Sequence, residues 1–358
     1  SHRPGAVRKL HHIARSVVIF DECQTFPAGL YRPTLDVLQQ LVSTYGVSFV
    51  FCTATQPALK RSASLPEGIP GDAVRDIMGS GTDAIFSHMH RTDASVPRIV
   101  VSWPSRDEPR LSWPDVAAQM RQRTSALAIV NLKAHALELF KTLNGGSASN
   151  RDPTVFHLSS RMCPQHRKDK LQAIRSRLGR EPCFVVSTQL IEAGVDLDFP
   201  LVFRALGPLD SIAQAAGRCN REGVLVGSSG RLVPGEVIVF KPVLAEGDSE
   251  VPPGEYQCGT EVTEELIEQA LVDGRNGPDV THPKTFERYF SALFSRLDLD
   301  SKAIQGDPVN SPRNRLDFPE VSTRYRLIDQ ATYQVVVRYS PDGDPERSPI
   351  TAVLDRVE

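Results

Sequence analysis

This chain of 358 residues lacks closely spaced cysteines and long apolar runs, and each absence argues against a class of protein. Its six cysteines never stand at C-x-x-C spacing, which argues against a zinc ribbon. No apolar run approaches the ~20 residues that a membrane-spanning helix needs, so no membrane contact is predicted. Scattered thiols are typical of a reducing compartment, and we therefore expect a cytoplasmic protein whose cysteines serve packing.

A phosphate-binding loop and a strongly basic charge balance are missing as well. The pattern G-x-x-x-x-G-K-[ST] does not occur, and the sequence has no Gly-Lys dipeptide. The formal net charge is −2, so there is no basic field over the whole chain. Any contact with a nucleic acid must then come from local groups, and the charge balance neither favours nor excludes it.

Strand and helix patterns alternate along most of the chain, which predicts an α/β protein with parallel sheets covered on both faces. Buried strands are predicted at residues 16–20, 47–52, 98–103, 127–131, 155–158, 183–187, 201–204 and 236–240. Helices are predicted at residues 32–44, 115–123, 134–143, 163–178, 261–273 and 285–297, and a further helix after Pro208.

Two adjacent acids follow the first strand, at the edge where α/β sheets bind ligands. Asp21 is placed to hold a Mg²⁺ ion through its waters, and Glu22 to orient an attacking water. The strand at residues 47–52 ends in the hydroxyl-rich loop 53–55 at the same edge. This arrangement predicts metal-assisted hydrolysis.

A cationic stripe is predicted on the helix after Pro208. On a helix, Gln214, Arg218 and Arg221 would fall within roughly 60° of one another, with Gly217 beside them. A guanidinium forks onto two phosphate oxygens and neutralises charge on a transferring phosphoryl group. The alternative is a surface helix with two unrelated arginines, and the helix by itself does not decide between them.

Four segments in this order resemble motifs II, III, V and VI of superfamily 2 helicases: DECQ (21–24), TAT (53–55), STQLIEAGVDLD (187–198) and QAAGRCNR (214–221). Within that superfamily the chain most resembles the CRISPR-associated helicase–nuclease of type I systems. The segment HLSSRMCPQHR (157–167) also supports this closer resemblance. The resemblance implies an ATP-dependent DNA helicase with ATP and Mg²⁺ as cofactors. It also implies two partners, single-stranded DNA and the CRISPR surveillance complex.

The resemblance further implies a role for each matching residue. Around ATP, Asp21 would hold the metal, Glu22 would act on the attacking water, and Arg218 and Arg221 would neutralise the phosphates. The nucleotide would also be contacted by Gly194, Asp196, Gln214 and Gly217. Hydrolysis would be coupled to the DNA strand by Gln24, Thr53 and Thr55, although Gln24 departs from the His or Asp of the family. The strand's backbone would be contacted by Ser159, Ser160, Arg161, Ser187, Thr188 and Gln189.

The predicted domains are the carboxyl-terminal part of a first RecA-like lobe (1–97) and a complete second lobe (98–243). A linker (244–262) and a small α+β accessory domain (263–358) are predicted to follow. Since the phosphate loop is missing, we expect a carboxyl-terminal portion of a longer protein that is inactive alone. Its amino-terminal part, with the P-loop and a histidine–aspartate nuclease, would be a further partner.

Three alternatives remain open on the sequence. The basic helix at residues 163–178 is either a solvated face or a track for phosphates of a strand. The motor is either CRISPR-associated or another superfamily 2 DNA or RNA helicase. In a different class, the chain is a non-catalytic fragment that acts as a binding module or as the target of a protein inhibitor.

Overall fold

The structure is a computed structural model that describes residues 10–53, 55, 59–62, 65–73, 96–105, 110–147, 152–192, 194–306 and 309–327. In chain order, the helices of these residues are α1 Leu10–Ile13, α2 Tyr31–Tyr45, α3 Trp113–Met120, α4 Lys133–Leu143, α5 Pro164–Arg177, α6 Leu209–Ala216, α7 Glu255–Val272, α8 Pro283–Phe294 and α9 Phe318–Arg324. The strands are β1 Val17–Asp21, β2 Ser48–Cys52, β3 Ile99–Ser102, β4 Ser125–Ile129, β5 Val155–Leu158, β6 Cys183–Ser187, β7 Leu201–Ala205 and β8 Gly235–Phe240.

The chain divides into two compact units. The first unit comprises Ser1–Thr82 and Asp279–Thr332, and the second comprises Asp83–Pro278 and Tyr333–Glu358. Each unit has a parallel sheet of its own in the described residues. The predicted α/β class with parallel sheets is therefore confirmed.

The second unit is built on six parallel strands in the order β3-β8-β7-β4-β6-β5. Strands β4, β6 and β7 are buried along their whole length. A strand with helices on both faces has no solvent side, so its sequence is a continuous apolar run rather than an alternation. The runs SALAI and CFVVS come close to this form. The second has the predicted bounds, whereas the first begins and ends two residues before the predicted 127–131.

Helices α3 and α4 cover one region of this sheet. Met120 and Leu139 are fully buried in a cluster with Phe203 of β7. Helix α3 begins with a capping box in which the Ser112 hydroxyl accepts from the backbone N–H of Asp115 and the Asp115 carboxylate accepts from Ser112. The same hydrogen bonds from Ser112 lower the pKa of the Asp115 carboxyl.

The first unit has a smaller described sheet, in which β1 and β2 pair in parallel and α2 connects them. Leu35 and Leu38 are buried on the inner face of α2, and Gly46 ends the helix in the left-handed region at φ 65°. Tyr31 of α2 packs on Phe294 of α8, with 4.6 Å between ring centroids. Helix α8 therefore belongs to the core of the first unit.

The carboxyl-terminal third differs from the predicted linker and accessory domain. Helix α7 begins at Glu255, inside the predicted linker 244–262, and lies in the second unit, whereas α8 lies in the first. The reason is packing: Tyr256 of α7 is hydrogen-bonded to buried groups of the six-stranded sheet. Within the predicted accessory domain, residues 318–324 form α9, and residues 328–358 lie outside the described residues.

The cysteines agree with the predicted packing role. All six are free thiols, and Cys23, Cys183 and Cys219 are buried. Burial raises the pKa of the Cys23 and Cys183 thiols to about 11, which keeps them protonated and poorly nucleophilic.

Among the described residues, no helix is both long enough and apolar enough to cross a bilayer.

Candidate functional site

The predicted acidic pair lies at the carboxyl end of β1. The Asp21 side chain is exposed, and its Oδ1 accepts from the Glu22 backbone N–H at 3.1 Å. Glu22 adopts a left-handed conformation with φ 53°, which a residue with a Cβ rarely does. The turn is held by Thr25, whose hydroxyl donates to the Glu22 carbonyl at 2.8 Å. Backbone outliers of this kind cluster at functional sites.

Gln24 joins the acidic pair to the hydroxyl loop after β2. Its Nε2 donates to Glu22 Oε2 at 2.5 Å, and its Oε1 accepts from the Thr53 hydroxyl. The Thr53 hydroxyl also lies 2.9 Å from the Thr55 carbonyl, and because it has a single proton it donates to one of the two at a time. The side chains of Glu22, Gln24 and Thr53 and the backbone of Thr55 thus form one hydrogen-bonded chain. This contact gives the unusual glutamine a physical role.

The environment of Asp21 suits a hydrated magnesium ion. Mg²⁺ usually keeps several waters and takes only one or two protein carboxylates. Asp21 offers one exposed carboxylate, and the described residues contain no cluster of three or more His, Cys, Asp or Glu that would form an all-protein cage. The carboxylates present therefore fit Mg²⁺ held through water better than a metal with a full protein ligand set.

The predicted cationic stripe on a helix is wrong, because α6 ends at Ala216. Gly217 is its C-cap, and the next residues pair with Phe199: the Phe199 N–H donates to the Arg218 carbonyl at 2.9 Å, and the Asn220 N–H donates to the Phe199 carbonyl at 3.0 Å. Asn220 then has φ 43°. Gln214 remains on α6, half-buried, while both arginines lie on the loop that follows it.

The loop after α6 presents its two arginines in different ways. Arg218 is half-buried, and its Nη2 donates to the Glu192 carbonyl at 2.6 Å. Arg221 is exposed and forms an ion pair with Asp196 at 2.7 Å. An exposed pair of this kind contributes little stability, so Arg221 can exchange Asp196 for an anionic ligand at low cost. Asp196 and Arg221, both predicted to contact a nucleotide, are therefore neighbours.

Asp198 and Arg98 bind the backbone of the loop that carries Arg218 and Arg221. Asp198 is half-buried, its Oδ1 accepts from the Arg221 backbone N–H at 2.9 Å, and burial raises the pKa of its carboxyl. The Arg98 Nη1 donates to the Cys219 carbonyl at 2.8 Å, and the Asn220 amide donates back to the Arg98 carbonyl at 2.8 Å. These contacts fix the backbone of the loop that carries Arg218 and Arg221, and they involve neither guanidinium.

The residues predicted to touch a DNA backbone divide by exposure. Ser160 and Arg161 are exposed, and Gln189 is half-buried. The exposed fractions of the others are small: 6% for Ser159, 0% for Ser187 and 7% for Thr188. The Ser187 hydroxyl is already donated to the Leu158 carbonyl inside the sheet. A backbone contact stays a prediction for the exposed residues, and burial argues against it for Ser187.

Sequence reasoning missed a buried polar network at the carboxyl edge of the sheet. Arg204 is fully buried in β7, and its Nη2 lies 3.1 Å from Glu192 Oε1 and 2.8 Å from the Tyr256 hydroxyl. Its Nη1 donates to Asn131 Oδ1 at 2.8 Å, and the Tyr256 hydroxyl donates to the same oxygen at 2.7 Å. Signals for this network were present in the sequence, since Arg204 interrupts an apolar strand and a buried charge needs partners.

Glu192 gives the second unit a specific pH dependence. Burial raises the pKa of its carboxyl to about 7 from 4.5, against the opposing effect of Arg204. Between these values the folded chain holds a proton that the unfolded chain releases, so this group lowers the free energy of unfolding by roughly 1.4 kcal/mol per unit as pH rises. Glu192→Gln should remove that slope, and urea unfolding of both proteins at pH 5 and pH 7 measures it. Equal slopes would contradict the assignment.

The two sets of predicted catalytic residues lie in different units. Asp21 and Glu22 belong to the first unit, and Arg218 and Arg221 to the second. Their convergence on one triphosphate stays a prediction.

Comparison with known proteins agrees with the resemblance stated from the motifs. Residues 122–224 match the Cas3-like family described as "CRISPR-associated nuclease/helicase Cas3, C-terminal". The chain is 28% identical over 325 residues to the CRISPR-associated nuclease/helicase Cas3 of Haloferax volcanii, covering 70% of this chain and 34% of that protein. It is 28% identical over 208 residues to the Cas3 of Methanothermobacter thermautotrophicus, covering 57% and 24%.

Solved structures agree on the fold. The crystal structure of T. fusca Cas3 with AMPPNP has a TM-score of 0.50 and 18% identity, covering 86% of this chain and 38% of that chain. A crystal structure of a CRISPR-associated protein has a TM-score of 0.52 and 19% identity, covering 88% and 35%. The chain spans about a third of the Haloferax volcanii relative and about a quarter of the Methanothermobacter thermautotrophicus relative. The predicted resemblance is confirmed: this chain is similar to the CRISPR-associated nuclease/helicase Cas3, and its residues 122–224 match the carboxyl-terminal Cas3 family.

Proposed function

We propose that this chain is part of an ATP-driven translocase that unwinds DNA in type I CRISPR interference, in the cytoplasm and together with a surveillance complex. The observation that carries the proposal is the polar chain from Glu22 through Gln24 to Thr53 and Thr55. A motor must convert hydrolysis at one place into movement at another. This chain of hydrogen bonds links the residue that would act on water to a separate loop of the first unit.

The nucleotide in this proposal is ATP. The T. fusca Cas3 structures with AMPPNP and with ADP have the same fold, which is the reason for choosing an adenine nucleotide. Glu22 would orient the attacking water, since its carboxylate is fixed by the Gln24 amide. Arg218 and Arg221 would neutralise charge that develops on the terminal phosphate.

Mg²⁺ would be held through water by Asp21 and would supply charge neutralisation between the phosphates. Gly194 and Asp196 would border the nucleotide on the loop after β6. Gly194 has φ 69° and would meet no atom within 4 Å if it carried a Cβ, so its backbone conformation, rather than a close neighbour, requires glycine. Gln214 and Gly217 would line the same region from the end of α6.

Single-stranded DNA would run along the surface formed by Ser160, Arg161 and the basic helix α5. Ile174 is the buried residue of α5, and the other thirteen positions are half-buried or exposed. Contacts from such a surface go to phosphates and carry no sequence information, which suits a motor that must move along any sequence.

The first unit would be completed by the amino-terminal part of the same protein. The two parallel strands described in the first unit do not form a stable sheet by themselves, and Val17 and Ile19 of β1 are each 65% exposed. A further part of the lobe that covers this apolar face would also bring the phosphate-binding loop absent from the sequence. We propose that this missing part contains the P-loop and a histidine–aspartate nuclease.

An ATP hydrolysis assay with Mg²⁺ and single-stranded DNA tests the proposal in two forms of the protein. The chain of 358 residues alone is expected to show no turnover. The upstream-extended protein, in which the residues encoded immediately before the chain are restored, is expected to hydrolyse ATP at about 1 s⁻¹ or faster. Turnover by the chain alone would mean that the phosphates bind elsewhere. No turnover by the extended protein, together with retained DNA binding, would favour a binding module.

A further inference from the structure

Glu192 contacts two arginines of the second unit, the buried Arg204 and the half-buried Arg218, through different groups. Its side chain lies against Arg204, with 3.1 Å between Oε1 and Nη2. Its backbone carbonyl accepts from Arg218 Nη2 at 2.6 Å. Glu192 is 5% exposed and caps the short helical turn Gln189–Ile191 that follows β6. The position of the Arg218 guanidinium is therefore tied to the same residue that Arg204 holds.

Arg204 is in turn held by Asn131, which follows β4, and by Tyr256 of α7. The Asn131 Oδ1 accepts from both Arg204 and Tyr256. The Asn131 amide donates to the Leu206 carbonyl at 2.7 Å, and its backbone carbonyl accepts from Gln189 Nε2 at 3.3 Å. Each polar group thus has its geometry set by at least two partners, which leaves little freedom for Glu192.

Tyr256 is the part of this network that comes from outside the sheet. It lies on α7, and its hydroxyl accepts from Arg204 and donates to Asn131. A Cβ on Gly207 would lie 2.8 Å from this hydroxyl oxygen, so glycine is required there for the tyrosine to enter. The packing of α7 against the six-stranded sheet therefore directly affects the position of the Arg204 guanidinium.

We propose that Arg204 and Tyr256 are positioning residues that set the Arg218 guanidinium through Glu192, so that docking of α7 determines whether the arginine is placed for phosphate. The inference rests on the proposed function for its catalytic meaning, but the positioning itself is a property of the second unit. Helix α7 lies after the helicase-like motifs in the sequence, and through Tyr256 it would influence the rate of ATP hydrolysis.

Arginine side-chain NMR on the chain of 358 residues tests the positioning without any need for hydrolysis. The Nε–Hε signal of Arg218 is identified by its loss in Arg218→Lys. Tyr256→Phe removes a single hydroxyl and should lower the order parameter of that signal to below about 0.6, with a change in its chemical shift. Tyr325→Phe is the matched control, because it removes a tyrosine hydroxyl bonded to Thr34 at 2.8 Å in the first unit. An Arg218 signal that Tyr256→Phe leaves unchanged in a folded chain would overturn the proposal.

Hydrolysis by the upstream-extended protein tests the consequence. Tyr256→Phe should lower kcat for ATP about tenfold with KM within about twofold, since misplacement of a catalytic group costs rate rather than binding. Arg204→Lys keeps the charge without the fork and should do the same. Adding Tyr256→Phe to Arg218→Ala should cause no further loss, and an additive loss would overturn the link. If the unsubstituted extended protein does not hydrolyse ATP, the proposed function fails, and the NMR measurement still decides the positioning.

Discussion

Replacing Arg218 by alanine is expected to lower the ATP turnover of the upstream-extended protein by about 10³-fold or more, the range for an arginine that neutralises a transferring phosphoryl group. The structure places this guanidinium on a loop whose backbone is fixed by Phe199 and Arg98. The Arg218 Nη2 donates to a neutral acceptor, the Glu192 carbonyl. A phosphate oxygen is a stronger acceptor than a carbonyl, so this hydrogen bond can be exchanged for one to a phosphate.

Arg221→Ala is expected to reduce turnover by orders of magnitude as well, with one difference. Arg221 is paired with Asp196, so its loss also leaves a carboxylate without its ion-pair partner beside the proposed nucleotide site. Steady-state hydrolysis with saturating DNA measures both variants, and Arg231→Ala, an exposed arginine of the same unit, is the matched control. A turnover number within tenfold of the unsubstituted protein for Arg218→Ala, in a folded variant, would remove this residue from the mechanism.

The main elements could be predicted from the sequence because burial leaves a clear pattern. The strands at residues 155–158 and 183–187 have the predicted bounds, since buried parallel strands are mostly apolar. The DECQ and TAT segments were expected at one sheet edge, and β1 and β2 do pair with Asp21 opposite Cys52. Local patterns and sheet topology were enough for these features.

The end of α6 and the docking of α7 depend on contacts between residues far apart in sequence. Nothing in the run around Gly217 says that Phe199 will pair with the next residues and end the helix. The segment before Glu255 is rich in Pro and Gly and resembles a linker, yet Tyr256 meets Arg204 across 52 positions of the chain. Such pairings are decided by packing in three dimensions, which overrides local propensity.

Replacing Arg204 by methionine is expected to lower the free energy of unfolding of the second unit by roughly 3–5 kcal/mol at pH 8. The substitution leaves the Glu192 carboxylate buried without its guanidinium, and a buried unpaired charge is costly. Both tryptophans of the chain, Trp103 and Trp113, lie in the second unit, so tryptophan fluorescence during urea unfolding follows this unit specifically. That choice matters because a chain of two units need not unfold in one step.

The double variant Glu192→Gln/Arg204→Met separates a broken pair from lost packing. If the cost comes from the unpaired carboxylate, the double variant should be more stable than Arg204→Met alone by about 2 kcal/mol or more. The cost of the single substitution should also shrink near pH 5.5, because Glu192, whose pKa burial raises to about 7, then takes up a proton and no longer carries charge. A double variant no more stable than Arg204→Met, with a cost that is the same at both pH values, would mean that Arg204 stabilises the unit by packing and by its bonds to Asn131 and Tyr256. The ion pair would then not be what holds Glu192 in place.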